Sequence, residues 1–454
     1  MRIKLDQPLS IKAIAAFANG IPITNPEKSI KHICTDTREI ISEDLFVALK
    51  GENFDGNDFL EQAKNSGAIT MGSRKTLCDV LVNDGKRALL KLASKYKEIL
   101  NPKRTVAITG SVGKSTTKEL TANILSFAYK VHKTEKNYNN DIGVPLTILS
   151  CPKGTDMLVI EAGMNNPKEL SVLSDCIRPD ICVITNIGSA HIGNLGSREM
   201  IAKSKMEITD CMVTGGKVII PYEEVLLQNL KDKITVSNTS TNADFCLLEE
   251  EKGNFTFYKN GIKTFDFHLD YLGNHIPKCL VFALTVGIIS GVNPEILLQA
   301  TDNLQYTLSA EKLQIAGDLT IYDDSYNSSP EAVYSSLSTL SSMGFKYKSA
   351  VLGDMNELGV YTADMHRKIG AYAAKTGLEK IFTFGSYSEF IVEGALKEGF
   401  PNEFIFKNTD ITNPEKTAKQ VVDNCFPGEA VLFKASHSVN LGRIIKLIKD
   451  LKNS

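Results

Sequence analysis

The chain has 454 residues, a formal net charge of −2, 43% hydrophobic residues and 23% charged residues. This composition is ordinary for a globular protein, and the near-neutral charge gives no long-range attraction to nucleic acid or anionic membranes. No apolar run reaches the roughly 20 residues that span a bilayer, and the nine scattered cysteines form no C-x-x-C pair. We therefore expect a cytoplasmic, monomeric protein with reduced thiols.

The first predicted domain covers residues 1–101. Short strand candidates, "HICTDTREI" at 32–40 and "DLFVALKGE" at 44–52, are followed by a predicted helix near 58–66. The segment "NPK" at 101–103 interrupts the pattern, because proline disfavours both a helix interior and a central strand. The sequence thus predicts a small N-terminal α/β domain.

The second predicted domain covers residues 102–311. "RTVAITG" at 104–110 reads as a buried strand that stops at glycine, and "STTKELTANILSFAY" after it has helical periodicity with Leu120, Ile124 and Phe127 on one face. Further strands, "DMLVIEA", "DICVITN" and "GKVIIP", alternate with helices. This alternation predicts a parallel sheet with crossover helices, to which residues 235–270 add antiparallel strands.

The third predicted domain covers residues 312–454. Strands "LTIYDD", "SAVLGD", "KIFTFG" and "EAVLFKA" again alternate with helical stretches. We interpret this part as a second, Rossmann-like α/β domain. Since ligands of such sheets bind at the carboxyl ends of the strands, the chain is expected to be an enzyme with a cleft between domains.

A phosphate-binding loop is predicted at "TGSVGKST", between the strand at 104–110 and the next helix. Gly110 and Gly113 allow backbone N–H groups to surround phosphate oxygens, and the helix N-terminus adds its positive dipole end. Lys114 would neutralise the β- and γ-phosphates, and the Ser115 hydroxyl would bind Mg²⁺. The alternative is a glycine turn that caps a helix and leaves Lys114 in solvent.

Three further residues are candidates for metal chemistry. Glu161 ends a strand of the same sheet, where a carboxylate would lie beside the phosphate loop. His191 lies in the glycine-rich segment "NIGSAHIGNLGS", and Lys205 lies in "IAKSKMEI". Each also has a simpler interpretation: an acidic strand end, a polar loop histidine and a solvated lysine face.

Six motifs together resemble the Mur ligase superfamily, and within it the ligases that add D-alanyl-D-alanine to a UDP-N-acetylmuramoyl-tripeptide. They are "GSVGKSTTKE", "KNYNNDIGVPLTIL", "VIEAGMN", "RPDICVITNIGSAHIGNLGSREMIAKSKMEI", "YDDSYNSSP" and "LGDMNELG". The resemblance covers nearly the whole chain in the same order. It implies a central P-loop NTPase-like domain, ATP and two Mg²⁺ ions as cofactors, and UDP-MurNAc-tripeptide and D-Ala-D-Ala as substrates.

The resemblance also implies the chemistry. ATP phosphorylates a carboxylate, and an amine attacks the resulting acyl phosphate. Both steps gather negative charge, so cations and positioning are the main catalytic tools. The catalytic residues implied are Lys114, Glu161, His191 and Lys205. Ser115 and Glu161 would hold the first Mg²⁺, and His191, assisted by Lys205 as a carbamate, the second.

The binding residues implied by the resemblance fall in all three domains. Those for ATP are Gly110, Ser111, Gly113, Lys114, Ser115, Thr116, His275, Lys312, Asp324, Tyr326 and Asn327. For the substrates, it implies Thr37 and Arg38 near the uridine diphosphate and Asn137 and Asn140 along the muramoyl-peptide cleft. Those implied for the dipeptide are Asp354, Lys434 and Ser436.

Several positions depart from the pattern of the family. Ile276 and Cys279 stand where asparagines are usual, Lys312 where arginine is usual, and "KAS" near residue 435 replaces Lys-Gly-Ser. These changes concern ATP base binding and the dipeptide end. They leave two alternatives open: a divergent paralogue that joins another amine or acceptor, and a non-catalytic nucleotide-binding paralogue.

Overall fold

The computed structural model describes residues 1–51, 53–271, 273–304 and 313–452, in which three sheets occupy successive stretches of the chain. The strands of the first sheet are β1 (Arg2–Ser10), β2 (Ile21–Pro22), β3 (Ser29–Cys34), β4 (Leu45–Val47), β5 (Ile69–Gly72) and β6 (Val80–Leu81). Their order is β1-β3-β4-β5-β6-β2, parallel from β3 to β6 and antiparallel at both edges. The helices are α1 (Ile11–Phe17), α2 (Leu60–Asn65) and α3 (Gly85–Leu100).

The first part packs against the second through α3. This amphipathic helix buries one face against α1 and, beyond its own sheet, against two helices of the central part. Lys97 on α3 donates from Nζ to the carbonyls of Ile177 and Arg178, where a central helix ends. A lysine is favourable there because the last carbonyls of a helix have no partner within it.

The central sheet has nine strands among the described residues, in the order β15-β14-β13-β12-β11-β10-β7-β9-β8. They are β7 (Arg104–Thr109), β8 (Val131–Lys133), β9 (Met157–Glu161), β10 (Ile181–Ile184), β11 (Lys217–Pro221), β12 (Lys233–Ser237), β13 (Phe245–Glu251), β14 (Asn254–Lys259) and β15 (Ile262–His268). β8 to β13 are parallel, and β14 and β15 add antiparallel strands at one edge, as predicted for residues 235–270.

Helices cover both faces of this sheet. α4 follows the glycine-rich loop and packs against α9. α9 is apolar on nearly all sides, as is typical of a helix that is buried on all sides. The helices are α4 (Lys114–Ser126), α5 (Gly143–Leu149), α6 (Glu169–Ile177), α7 (Ile192–Leu195), α8 (Arg198–Met206), α9 (Ile276–Ile289) and α10 (Pro294–Asp302).

The third sheet has the order β16-β17-β21-β18-β19-β20, parallel except for β16 at its edge. Its strands are β16 (Leu313–Ala316), β17 (Leu319–Asp323), β18 (Lys348–Gly353), β19 (Lys380–Phe384), β20 (Ile405–Asn408) and β21 (Ala430–Lys434). Its helices are α11 (Pro330–Ser342), α12 (Thr362–Ala373), α13 (Ser388–Lys397), α14 (Pro414–Asn424) and α15 (Gly442–Lys452).

The structure corrects the predicted elements at several places. The strand predicted at 32–40 ends at Cys34, because the Asp36 carboxylate accepts the N–H of Arg38 and forms a short turn instead. α4 ends at Ser126, and Phe127, predicted on its buried face, is 39% exposed. The boundary predicted at residues 101–102 lies just after α3; the one at 311–312, and with it Lys312, falls outside the described residues.

The order of the central strands explains the position of the phosphate loop. β7 lies between β9 and β10, so that Ile108 is paired with Glu161 and Thr109 with Ile184. Because parallel strands end at one edge of the sheet, the loops after all three strands meet there. In the described part of the chain no helix is long and apolar enough to cross a membrane.

Candidate active site

Glycine at position 110 is required by the geometry of the phosphate loop. Its φ is 150°, and a Cβ there would lie 1.9 Å from Oγ1 of Thr185. Gly113, with φ 80°, caps the N-terminus of α4. Ser115 follows in the first turn with an exposed side chain, and Thr116 is half-buried. The loop therefore presents the start of α4, with its free N–H groups, to a ligand.

Lys114 folds back along this loop. Its Nζ donates to the carbonyl oxygens of Gly110 and Ser111, at 2.9 and 3.2 Å. Desolvation lowers the pKa of Lys114, and the nearby charge of Glu161 opposes that shift. The ammonium is thus held at the mouth of the loop, where a phosphate would replace two carbonyl contacts with a full charge interaction.

Glu161 has one carboxylate oxygen that lacks a partner. The residue is 2% exposed, and its Oε1 accepts a hydrogen bond from Asn139 Nδ2 at 2.8 Å. Its Oε2 is buried and has no hydrogen-bond partner among the described residues. A buried carboxylate oxygen without a donor is costly, and it is an arrangement that a cation would stabilise.

Lys205, on α8, is 2% exposed. Burial lowers its pKa well below the ordinary value, and the positive charge of Lys114 lowers it further. Such surroundings favour the neutral form of the amine, because burying an unpaired ammonium is unfavourable. A neutral amine is the form that reacts with CO₂.

His191 connects the central part with the third. Its backbone has φ 64°, and its Nδ1 forms a close contact with the carboxylate of Glu357, in the loop after β18. The imidazole holds the pKa of Glu357 below its usual value, while burial opposes that effect. Beside this pair, Gly193 N–H donates to the Glu357 carbonyl at 2.9 Å.

The segment 324–327, which follows β17, is held by contacts with Lys434. The Lys434 side chain is 4% exposed; its Nζ forms an ion pair with Asp324 Oδ2 at 3.0 Å and donates to the carbonyls of Asp324 and Asn327. Tyr326 between them is 59% exposed. Three predicted ATP-site residues, Asp324, Tyr326 and Asn327, therefore lie in one loop. Lys434, predicted for the dipeptide, instead contacts this loop.

Asp354 and Ser436 hold neighbouring loops of the third sheet together. The two carboxylate oxygens of Asp354 accept the N–H groups of Ser386 and Tyr387 at 2.8 and 2.9 Å. Burial raises the pKa of Asp354, and these hydrogen bonds oppose the shift. Ser436 N–H donates to the Asp354 carbonyl, and Ser436 Oγ accepts the N–H of Asn356.

Of the two predicted cleft asparagines, one reaches the third part of the chain. Asn137 hydrogen-bonds Tyr326; burial raises the pKa of Tyr326, and this bond partly offsets the shift. Asn140 Oδ1 accepts the N–H groups of Ile142 and Gly143 and so holds the turn before α5. The structure thus gives Asn140 a local role in the backbone.

The predicted uridine-diphosphate residues lie in the turn after β3. Arg38 donates to the Asp36 carboxylate from Nε and Nη2, at 2.9 and 2.6 Å, which holds the pKa of Asp36 well below its usual range. The Arg38 side chain is 87% exposed, and Thr37 is half-buried beside it. The guanidinium is therefore open to solvent on the surface of the first part.

α9, which contacts the phosphate loop through Cys279, begins after His275. Ile276 and Cys279, the two departures from the family pattern, are both buried. Cys279 Sγ lies 3.8 Å from the carbonyl oxygen of Gly113, and burial raises the pKa of its thiol to about 11. The thiol packs against the loop as a small apolar group.

Comparison with known proteins agrees with this geometry. The chain matches the Mur ligase family catalytic domain over residues 29–96, the Mur ligase middle domain over 108–287, and the Mur ligase glutamate ligase domain over 310–437. The UDP-N-acetylmuramoyl-tripeptide--D-alanyl-D-alanine ligase of Bacillus subtilis (strain 168) is 36% identical over 454 residues, which cover 96% of this chain and 97% of that protein. The chain belongs to the Mur ligase family.

Two solved structures extend the comparison. The MurF ligase from Thermotoga maritima in complex with ADP has a TM-score of 0.78 and 28% identity, covering 93% of this chain and 97% of that one. MurF from Acinetobacter baumannii has a TM-score of 0.86 at 24% identity, covering 99% and 100%. The predicted α/β fold in three parts and the predicted Mur ligase family are confirmed.

Sequence reasoning missed three side chains of this Mur ligase site. Asn186 Oδ1 accepts the N–H groups of Ser111 and Val112, each at 3.0 Å, and Thr185 Oγ1 donates to the Val112 carbonyl. Asn139 holds Glu161. Thr185 and Asn186 directly follow β10, the strand beside β7, so a polar pair after this strand was a usable signal.

The residues fit a magnesium ion that is held mainly by phosphates. Among the described residues no group of three or more histidine, cysteine, aspartate or glutamate side chains forms a ready metal centre. Mg²⁺ typically uses one or two carboxylates together with substrate phosphates and water. The unpartnered Oε2 of Glu161 is such a donor, and the Glu161 carboxylate lies near enough to Lys114 to raise the pKa of that lysine.

Proposed function

We propose that this Mur ligase joins D-Ala-D-Ala to a UDP-N-acetylmuramoyl-tripeptide at the expense of ATP, forming an amide bond in peptidoglycan precursor synthesis. The observation that carries the proposal is its full-length identity of 36% with a relative of that name. The site agrees with it, since Lys114 lies near both Glu161 and Lys205: the Glu161 carboxylate raises the pKa of Lys114, and the Lys114 charge lowers the pKa of Lys205.

The reaction has two balanced steps. A tripeptide carboxylate oxygen attacks the γ-phosphorus of ATP, the bond to ADP breaks, and an acyl phosphate forms. The dipeptide amine then attacks the acyl carbon, inorganic phosphate leaves with the bonding electrons, and the nitrogen loses one proton. Lys114 and the N–H groups at the start of α4 offset the negative charge gathered in both steps.

Magnesium would be held by Ser115, Glu161, His191 and a carbamate on Lys205. When bound, the ion neutralises phosphate charge and draws electron density from the phosphorus. The carbamate forms when the Lys205 nitrogen adds to the carbon of CO₂ and releases one proton. The lowered pKa of the Lys205 amine supports this modification, because only an unprotonated amine adds to CO₂.

The remaining predicted residues complete the proposal. Gly110, Ser111, Gly113, Thr116, His275 and the Asp324–Asn327 segment contact ATP, and Thr37, Arg38, Asn137 and Asn140 lie along the path of the nucleotide-sugar peptide. Asp354, Lys434 and Ser436 support the dipeptide site by fixing the loops around it. The proposal includes three domains, at 1–101, 102–311 and 312–454, and a cytoplasmic location.

The test is phosphate release from ATP with Mg²⁺, UDP-MurNAc-tripeptide and a panel of amines, with products identified by mass spectrometry. Release that needs both the tripeptide and D-Ala-D-Ala, and yields the pentapeptide, is the expected result. Lys114→Ala should abolish release and leave the fold intact. ATP binding with an inert D-Ala-D-Ala would indicate the divergent paralogue, and binding without turnover of any amine the non-catalytic one.

A further inference from the structure

Glu331 contacts the central part of the molecule from the start of α11. This helix begins with Pro330 and Glu331, a few residues after the segment that Lys434 holds. Glu331 Oε1 accepts the backbone N–H of Ser189 at 2.8 Å, across the boundary between the second and third parts. None of the motifs assigns a role to this glutamate.

The segment that Glu331 contacts is also held by the phosphate loop. Gly188 N–H donates to Ser111 Oγ at 2.9 Å, and the Ile187 carbonyl accepts from Arg198 Nη2 at 3.0 Å. The two successive N–H groups of Gly188 and Ser189 therefore point to opposite sides. The Gly188 N–H binds the phosphate loop and the Ser189 N–H binds Glu331 of α11, so residues 188–189 connect the loop directly with α11.

This contact is close and specific. A Cβ on Gly188 would lie 2.9 Å from Cδ of Glu331, so the glycine admits the carboxylate. Glu331 Oε2 and Ser189 Oγ are both buried and have no hydrogen-bond partners in the described part of the chain. Because unpartnered buried oxygens are unfavourable, stability alone does not account for the arrangement.

We propose that Glu331 is a positioning residue, which seats the Asp324–Asn327 segment against the phosphate loop through Gly188 and Ser189. The inference rests on the proposed function in one respect: ATP is taken to span both segments. Glu331 touches no reacting atom in this account. It sets how often the two halves of the ATP site are aligned.

The simpler explanation is that an acidic residue in a first turn merely favours the helix dipole. The chain contains a matched case. α14 also begins with a side-chain cap, a proline and a glutamate, Asn413, Pro414 and Glu415, and Glu415 is exposed. Glu415→Ala therefore removes the dipole contribution without touching the central part.

The experiment compares Glu331→Ala, Glu331→Gln and Glu415→Ala in the full chain. Glu331→Ala should lower kcat about tenfold or more, the scale of a lost charged hydrogen bond, while Kd for ADP changes less than about threefold. Glu331→Gln, which keeps an acceptor oxygen, should retain most of kcat. Amide hydrogen exchange of residues 187–196 should be faster in Glu331→Ala than in Glu415→Ala.

Equal kcat in Glu331→Ala and Glu415→Ala, or equal exchange over residues 187–196, would overturn the proposal. A loss of ADP affinity as large as the loss of kcat would overturn it too, since alignment would then not be what Glu331 supplies. If the wild type fails to ligate D-Ala-D-Ala, the proposed function fails separately. Hydrogen exchange then decides the role of Glu331 without any substrate.

Discussion

At the scale of single residues, the decisive feature is a buried lysine amine for which the described residues provide no counter-ion. Lys205 is 2% exposed, and the only charge that shifts its pKa beyond burial is the like charge of Lys114. An ordinary structural lysine would pair with a carboxylate or reach solvent. These surroundings therefore favour the neutral form of the amine.

Two substitutions of Lys205 separate its proposed role at the metal from the cost of burying a charge. Lys205→Met should lower turnover about a hundredfold or more, the upper scale for losing a metal-site partner, with little change in thermal midpoint. Lys205→Arg cannot lose its charge, so it should also destabilise the fold by about 3 kcal/mol, the cost of an unpaired buried charge. Phosphate release and thermal unfolding measure the two effects; full activity in Lys205→Met would contradict the metal role.

At the scale of an element, α12 is joined to the loop before it by a buried histidine. His366 Nε2 accepts the N–H of Met355 at 3.0 Å, and its Nδ1 lies 2.7 Å from the carbonyl of Thr362. Since one nitrogen must accept and the other must donate, only one neutral tautomer satisfies both contacts. Burial is the main reason that the pKa of His366 is lowered.

This histidine predicts a dependence of stability on pH. The folded pKa lies below the unfolded value of about 6.5, so the unfolded state binds the proton first as pH falls. The contribution of His366 is full above about pH 6.5 and is lost as pH falls through the folded pKa. Between about pH 7.5 and about pH 5.5, the thermal midpoint should fall less in His366→Gln than in the wild type.

Glutamine suits this test because its amide can accept from Met355 and donate to Thr362. The matched control is His268→Gln, at the exposed end of β15. It should follow the wild type in its response to pH. An identical fall of the midpoint in His366→Gln and the wild type would show that the buried imidazole does not control acid stability.

At the scale of the whole molecule, the second and third parts meet through two glycines. A Cβ on Gly193 would lie 2.6 Å from the backbone nitrogen of Gly359 and 2.7 Å from the carbonyl oxygen of Glu357. Tyr361 Oη donates to the Gly196 carbonyl close by. Backbone thus meets backbone, and the approach leaves no room for a side chain.

Gly193→Ala should prevent this approach without straining its own backbone, because Gly193 does not have a positive φ. We expect kcat to fall about tenfold or more, as for other misplacements of catalytic groups, while ADP binding to the phosphate loop persists. Gly344→Ala is the control, since Gly344 does not have a positive φ and a Cβ there meets nothing within 4 Å. Unchanged kcat in Gly193→Ala would show that turnover does not need this approach.

Particular residues show how far the sequence could be interpreted. The buried strand at 104–110 and the glycine-lysine loop after it were predictable, because local periodicity and glycine spacing encode them. Asn139 was not found, since its role comes from Glu161, 22 residues away in the chain. The pairing of His191 with Glu357, 166 residues apart, is likewise not encoded in a local pattern.

The sequence by itself determined the family, the α/β class and the glycine-lysine turn between β7 and α4, because these depend on local patterns and ordered motifs. Only the tertiary structure decided that Lys434 lies beneath the Asp324–Asn327 segment, that Asn140 serves a turn, and that Glu331 reaches Ser189. The physical reason is that hydrogen bonds and burial depend on which strands are neighbours and how the sheets pack, and neither is written in the spacing of residues along the chain.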